Sequence, residues 1–145
     1  MAITQAIANA FKKQLLEGDQ NFASGGDKFK LALYTSSATL NSATTAYTAS
    51  NEVANSGQYT AGGGDLTGQN TSIASGVAIV DFADLSFTGV TLTARGALIY
   101  NTSSAVTNAA VAVLDFGADK TATSGTFTVQ FPAFTTSAAI LRISG

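Results

Sequence analysis

The stretch VTLTARGALIYN at residues 90–101 constrains the fold more than any other, because strand-forming side chains and a strand's alternation coincide there for longest. Val90, Leu92, Ala94, Leu98 and Tyr100 share one parity, while Thr91, Thr93, Arg95 and Asn101 share the other. A period of two with one apolar face belongs to a strand laid on a core. Gly96 interrupts the pattern where Ala97 and Ile99 make the second face apolar as well, so a β-bulge and an unbroken strand both fit.

Other segments repeat the pattern. KFKLALY at 28–34 alternates, with Phe29, Leu31 and Leu33 opposite Lys28 and Lys30. GVAIVDF at 76–82 and AAVAVLDF at 109–116 are apolar on both parities, as strands in the middle of a sheet are. TFTVQF at 126–131 places Phe127, Val129 and Phe131 inward and is ended by Pro132, and AAILRI at 138–143 supplies a last strand. Residues 65–69 are read as a short strand, 85–87 as a lead through Thr88-Gly89 into the opening stretch, 72–76 and 101–104 as turns, and 117–124 as a loop. Seven or eight short strands separated by turns predict a mainly β fold, an antiparallel β-sandwich or jelly-roll-like domain.

One helix is expected ahead of the strands. Ile3, Ile7, Phe11 and Leu15 recur every four residues, with Lys12 and Lys13 on the other side, and Gly18 stops the run. Residues 19–26 are rich in turn formers and read as a short flexible joint, which divides the chain into an N-terminal helix or arm at 1–26 and a β-sandwich domain at 27–145. The helix either caps its own sandwich or docks on a neighbouring subunit. Residues 35–64 form a long Thr, Ser, Ala, Asn and Gly segment anchored by Tyr47, Val53 and Tyr59, a length typical of contact loops.

With 145 residues the chain suits one domain. Charged residues make up 11%, against about 25% in ordinary soluble domains, and Ser, Thr, Ala and Gly fill the surface-like positions. Such a surface loses little hydration on association, so a homo-oligomer is expected. A net charge of −2 with seven dispersed Lys plus Arg offers no stripe for phosphates, and nucleic-acid binding is not expected. No run of apolar residues is long enough to span a membrane, and Met-Ala-Ile-Thr-Gln lacks the start of a signal peptide.

Histidine and cysteine are both absent, which removes the commonest general base, the thiol nucleophile and the common zinc ligands. Asp65, Asp81, Asp84, Asp115 and Asp119 remain as carboxylates. Asp81 and Asp115 end apolar strands, where an Asp usually turns the chain. DFGAD at 115–119 could bend around calcium but lacks the alternating spacing of an EF-hand loop, so no catalytic, cofactor or metal residues are assigned. Arg95 needs an acidic partner, which a local Asp supplies most simply. Tyr34, Tyr47, Tyr59 and Tyr100 raise a sugar-stacking platform as an alternative, a carbohydrate-binding β-sandwich module, although core or interface tyrosines are the simpler account.

Taken together, KFKLALYTSSA, NEV followed by GQYTAGGG, TARGALIYN, AVAVLDFG and SGTFTVQFP resemble a group of small virion structural proteins of tailed bacteriophages, over about residues 28–143. The resemblance implies a capsid decoration or cement protein on the outer shell, made in the host cytoplasm. It would contact the major capsid protein and copies of itself, as a dimer or trimer. A tail or head-tail connector component is the alternative within the same class. The candidate contact residues are Ile3, Ile7 and Phe11 on the helix, Tyr47 and Tyr59 in the long loop, and Arg95.

Overall fold

The fold is that of a computed structural model, which describes residues 2–135 and 137–144. It is mainly β with one short helix: β1 (Ala6–Ile7), α1 (Asn9–Leu16), β2 (Phe29–Tyr34), β3 (Gly64–Asp65), β4 (Asn70–Ala74), β5 (Val77–Asp81), β6 (Leu85–Asn101), β7 (Ala109–Val129) and β8 (Leu141–Ile143). They form two antiparallel sheets, a five-stranded one in the order β1-β7-β6-β2-β3 and a three-stranded one in the order β4-β5-β8.

The opening stretch lies within β6, at the centre of the large sheet. Val90, Leu92 and Ala94 are buried and Thr91 and Thr93 exposed, as the alternation requires; from Gly96 to Asn101 every residue is buried. The register shifts between Ala94 and Gly96, yet β6 runs unbroken through Gly96 and the extra residues lie opposite it, in β7. Beyond Gly96 β6 lies between β2 and β7 with both faces covered. On one face the Tyr34 and Tyr100 hydroxyls donate to the Thr48 and Gly62 carbonyls of the long loop, at 2.6 Å each. On the other parity of β2, Phe29 stacks on Phe22 at 4.5 Å, and Phe22 meets Phe11 of α1 edge-on at 5.8 Å.

The N-terminal helix is shorter than its four-residue spacing predicts. Ile3 and Ile7 are also two steps either side of Gln5, so the same letters fit a strand, and the edge of β7 selects that reading: Ala6 and Ile7 pair with Val113 and Ala112. Ile3 bridges to Leu40 and is buried, and α1 begins only at Asn9. Its first amides are met by neighbours, Ala8 N–H by the Val111 carbonyl at 3.0 Å and Asn9 N–H by that of Ser42 at 2.8 Å. The segment therefore shares the core of its own chain instead of standing off as an arm. Nor are residues 19–26 a loose joint. Buried Asn101 donates through Nδ2 to Gln20 Oε1 and Asp27 Oδ2, both at 2.8 Å, while its Oδ1 accepts from the Ser103 and Ser104 amides.

Two more expectations change. Residues 117–124 belong to β7 and are no separate loop. From Gly96 to Ala94 β6 takes two steps while β7 takes five, from Asp115 to Lys120, so three extra residues bulge out around Gly117, whose φ is 82°. Residues 70–74 are strand β4, and the turn is confined to Ser75-Gly76.

Candidate functional site

The small sheet is where the chain leaves apolar side chains uncovered. Ile73 pairs with Ala78 and Ala78 with Ile143, so the three stand in one row on one face. Ile73 is 78% exposed and Ile143 57%, and Leu16 at the end of α1 is 90% exposed. Residues two steps along each strand, Thr71, Val80 and Leu141, form the next row of the same face. Between this face and α1 opens an apolar groove of about 340 Å³, walled by Phe11, Leu15 and Phe22 on one side and by Val80, Leu141 and Ile143 on the other. Its lining is mostly apolar, so it suits hydrocarbon or a protein side chain better than a polar substrate.

The long loop, by contrast, is locked down by one carboxylate. Glu52 Oε1 accepts from the Tyr47 hydroxyl at 2.5 Å, and Oε2 accepts from the Tyr59 hydroxyl and the Gly62 amide, both at 2.7 Å. The Tyr59 hydroxyl in turn accepts from the Leu33 amide of β2 at 2.8 Å. Tyr47 stacks on Tyr100 at 4.9 Å and 26°. Burial raises the pKa of all four tyrosines, and Glu52 raises them further; Tyr100 is pushed up to about 12 and the others higher. At neutral pH these hydroxyls keep their protons and donate to the loop. Tyr34, Tyr59 and Tyr100 are buried within the chain, and the half-buried Tyr47 stacks one ring face on Tyr100.

The carboxylates are engaged in fastening the chain. Asp115 Oδ1 accepts from Arg95 Nε at 3.1 Å and from the Gly117 amide at 2.8 Å, and the amide contact, then the guanidinium, hold its carboxyl below the usual value. The local partner expected for Arg95 is therefore Asp115, and the pair braces the β7 bulge. Asp84 accepts from the Phe131 amide at 2.8 Å, and Asp65 pairs with Lys30 at 3.1 Å. Asp81 Oδ1, buried at the end of β5, has no hydrogen-bond partner among the described residues. No group of three His, Cys, Asp or Glu side chains that could hold a metal occurs among the described residues.

The six candidate contact residues do not converge. Ile3, Phe11 and Tyr59 are buried within the chain; Ile7 is half-buried beside the groove, Tyr47 is half-buried on the loop, and Arg95 is bound to Asp115. The feature that sequence reasoning missed is β4. Its one large apolar letter, Ile73 in NTSIA, produces no alternation, and only the two-residue turn after it could have marked a hairpin. Glu52 was missed as well, since a single acid in a polar segment carries no pattern. No helix among the described residues is long and apolar enough to cross a membrane. Comparison with protein-family models, with curated proteins and with solved structures finds no match to this chain.

Proposed function

We propose that this chain is a non-enzymatic structural protein of a tailed-bacteriophage particle, a decoration or cement protein that binds the outer face of the assembled shell and copies of itself. The observation that carries the binding half of this reading is the exposed apolar row Ile73, Ala78 and Ile143 beside an apolar groove, on a chain with only 11% charged residues. A surface of that kind associates with little desolvation cost. The phage half rests on the resemblance of the sequence segments. The mechanism is mass action: a subunit that binds only the assembled shell stabilises it by its binding free energy, and modest contacts on one oligomer reinforce each other.

The test is biochemical. The protein copurifies with intact particles in stoichiometric amount, and particles lacking it burst at lower temperature or milder osmotic shock. Recovery from infected-cell lysate but never from particles would overturn the reading, and recovery on detached tails alone would transfer it to a tail or connector component.

A further inference from the structure

We propose that the free edge of β4 pairs antiparallel with the same edge of a second copy of this chain, across a two-fold axis at Ser72, joining two three-stranded sheets into one of six strands. This deepens the self-association part of the reading above and rests on it; the nature of the particle does not enter.

The hydrogen-bonding phase of β4 follows from its turn. Ala74 and Val77 flank a two-residue loop, Ser75 and Gly76, with φ of 50° and 75°, the form in which both central residues are left-handed. The flanking pair exchanges both hydrogen bonds, and bonded pairs then alternate along an antiparallel ladder. Ser72 with Ile79 and Asn70 with Asp81 are therefore the next bonded pairs, and the pairing runs without a shift. Thr71 and Ile73 direct their N–H and C=O groups outward, to the open edge. The Thr71 amide meets only its own neighbour, donating to Asn70 Oδ1 at 2.9 Å.

These outward groups are self-complementary. With the axis at Ser72, Thr71 stands opposite Ile73 of the partner subunit and Ile73 opposite Thr71 of the partner subunit. Each is a bonded pair, which gives four N–H···O bonds. Moving the axis to Thr71 or to Ile73 leaves one such pair within the strands, and two bonds. In the favoured register Ile73 gains neighbours on the groove face, and the apolar row continues from one copy into the next.

Electrostatics separates this edge from the others. A two-fold axis sets each residue near its own kind, so a charged edge opposes itself. Beyond Val113 the outer edge of β7 carries Asp115, Asp119, Lys120 and the Gly117 bulge; β3 ends in Asp65, and the three-residue β8 carries Arg142. Charges, bulges and brevity are the devices that keep edges from pairing. NTSIA has no charge, no proline and no bulge, and all five residues are exposed. Five residues a side bury less than the roughly 1,200 Å² of a stable interface, so the isolated pair is weak and is reinforced where copies are held on a common surface.

A disulfide trap reads such a contact directly, because the chain has no cysteine of its own. Residues at a non-bonded antiparallel position have Cα atoms about 4.5 Å apart, within disulfide reach. A Ser72→Cys variant is oxidised beside a Thr126→Cys control on the exposed edge of β7, each in the full chain. The Ser72→Cys variant is expected to form covalent dimer at least about 10-fold faster. Adding Ile73→Lys to it slows dimer formation by about the same factor, while circular dichroism and thermal unfolding stay unchanged. Thr71→Pro, which removes the outward amide, does the same should the lysine variant fail to fold. Equal trapping rates for the two cysteine variants, or trapping undiminished by both edge substitutions, would overturn the proposal. Because the trap uses isolated protein, a positive trap with no particle association removes the phage reading alone, and particle association with no trap removes the edge alone.

Discussion

The centre of the large sheet and the small sheet are built from the same kind of strand and are used in opposite ways. In β2 and the second half of β6, both faces are buried, one under the tyrosine-bonded loop and the other under the phenylalanine cluster. In β4 no residue is buried, and its one large side chain points to solvent. Folding free energy is concentrated in the first region, whereas β4 buries no side chain and the small sheet presents Ile73 and Ile143 to solvent. Substitutions in the first should be read as stability and in the second as association.

The largest effects should come where the loop meets the sheet. Gly63 has φ of 86°, and a Cβ there would stand 1.8 Å from the Leu31 carbonyl oxygen, so Gly63→Ala forces the backbone apart. Together with Tyr59→Ala, which empties a fully buried site, it is expected to cost about 3–5 kcal/mol and to lower Tm by on the order of 10 °C. Calorimetry of both variants checks this, and a shift below 2 °C, by the same conversion, would mean that the loop is not part of the core.

Glu52→Ala strands two tyrosine hydroxyls and the Gly62 amide at once, and a loss of about 2–3 kcal/mol is expected in urea unfolding. The same cluster makes stability fall at high pH. The unfolded chain releases its tyrosine protons from about 10.0, whereas folded Tyr100 holds its own to about 12 and the others longer. The folded state then binds more protons than the unfolded one, so stability is intact below pH 10 and declines between pH 10 and 12. Urea midpoints measured across that window show the slope, and Tyr100→Phe should make it shallower.

How much of this was legible in the letters depends on whether a residue's neighbours are close in sequence. Period-two runs such as residues 28–34 and 90–101 carry their own evidence, and the strands follow from them, whereas the bulge opposite Gly96 lies in β7. The start of α1 does not, because Ile3 and Ile7 satisfy both periods and the edge of β7, more than a hundred residues on, decides between them. Asn101 sat on the polar parity of a strand with nothing to show that Gln20 and Asp27 would close over it. The site is the extreme case. Exposure of Ile73 depends on which strands cover which, and composition suggested only that such a surface exists somewhere.

Smaller effects sharpen the contrast. Arg95 and Asp115 are each about a third exposed, and Arg95→Ala should cost less than about 1 kcal/mol in thermal unfolding. Ile73→Ser and Leu16→Ser should leave the unfolding free energy within about 0.5 kcal/mol of the parent, since neither side chain is covered. A fall after Ile73→Ser comparable to that after Tyr59→Ala would show that β4 is core after all.

The pairing of Ile7 with Ala112 also sets a clock on biosynthesis. At about 5–20 residues per second, the partner of the first strand leaves the ribosome roughly 5–20 s after that strand does. Throughout that interval Ile3 and Ile7 lack part of their enclosure, because Gly96, which Ile3 packs against, and the β7 edge that anchors Ile7 do not yet exist. The nascent chain must therefore carry its leading apolar residues exposed until most of it has been made, and any rise in translation-linked aggregation should trace to those few side chains.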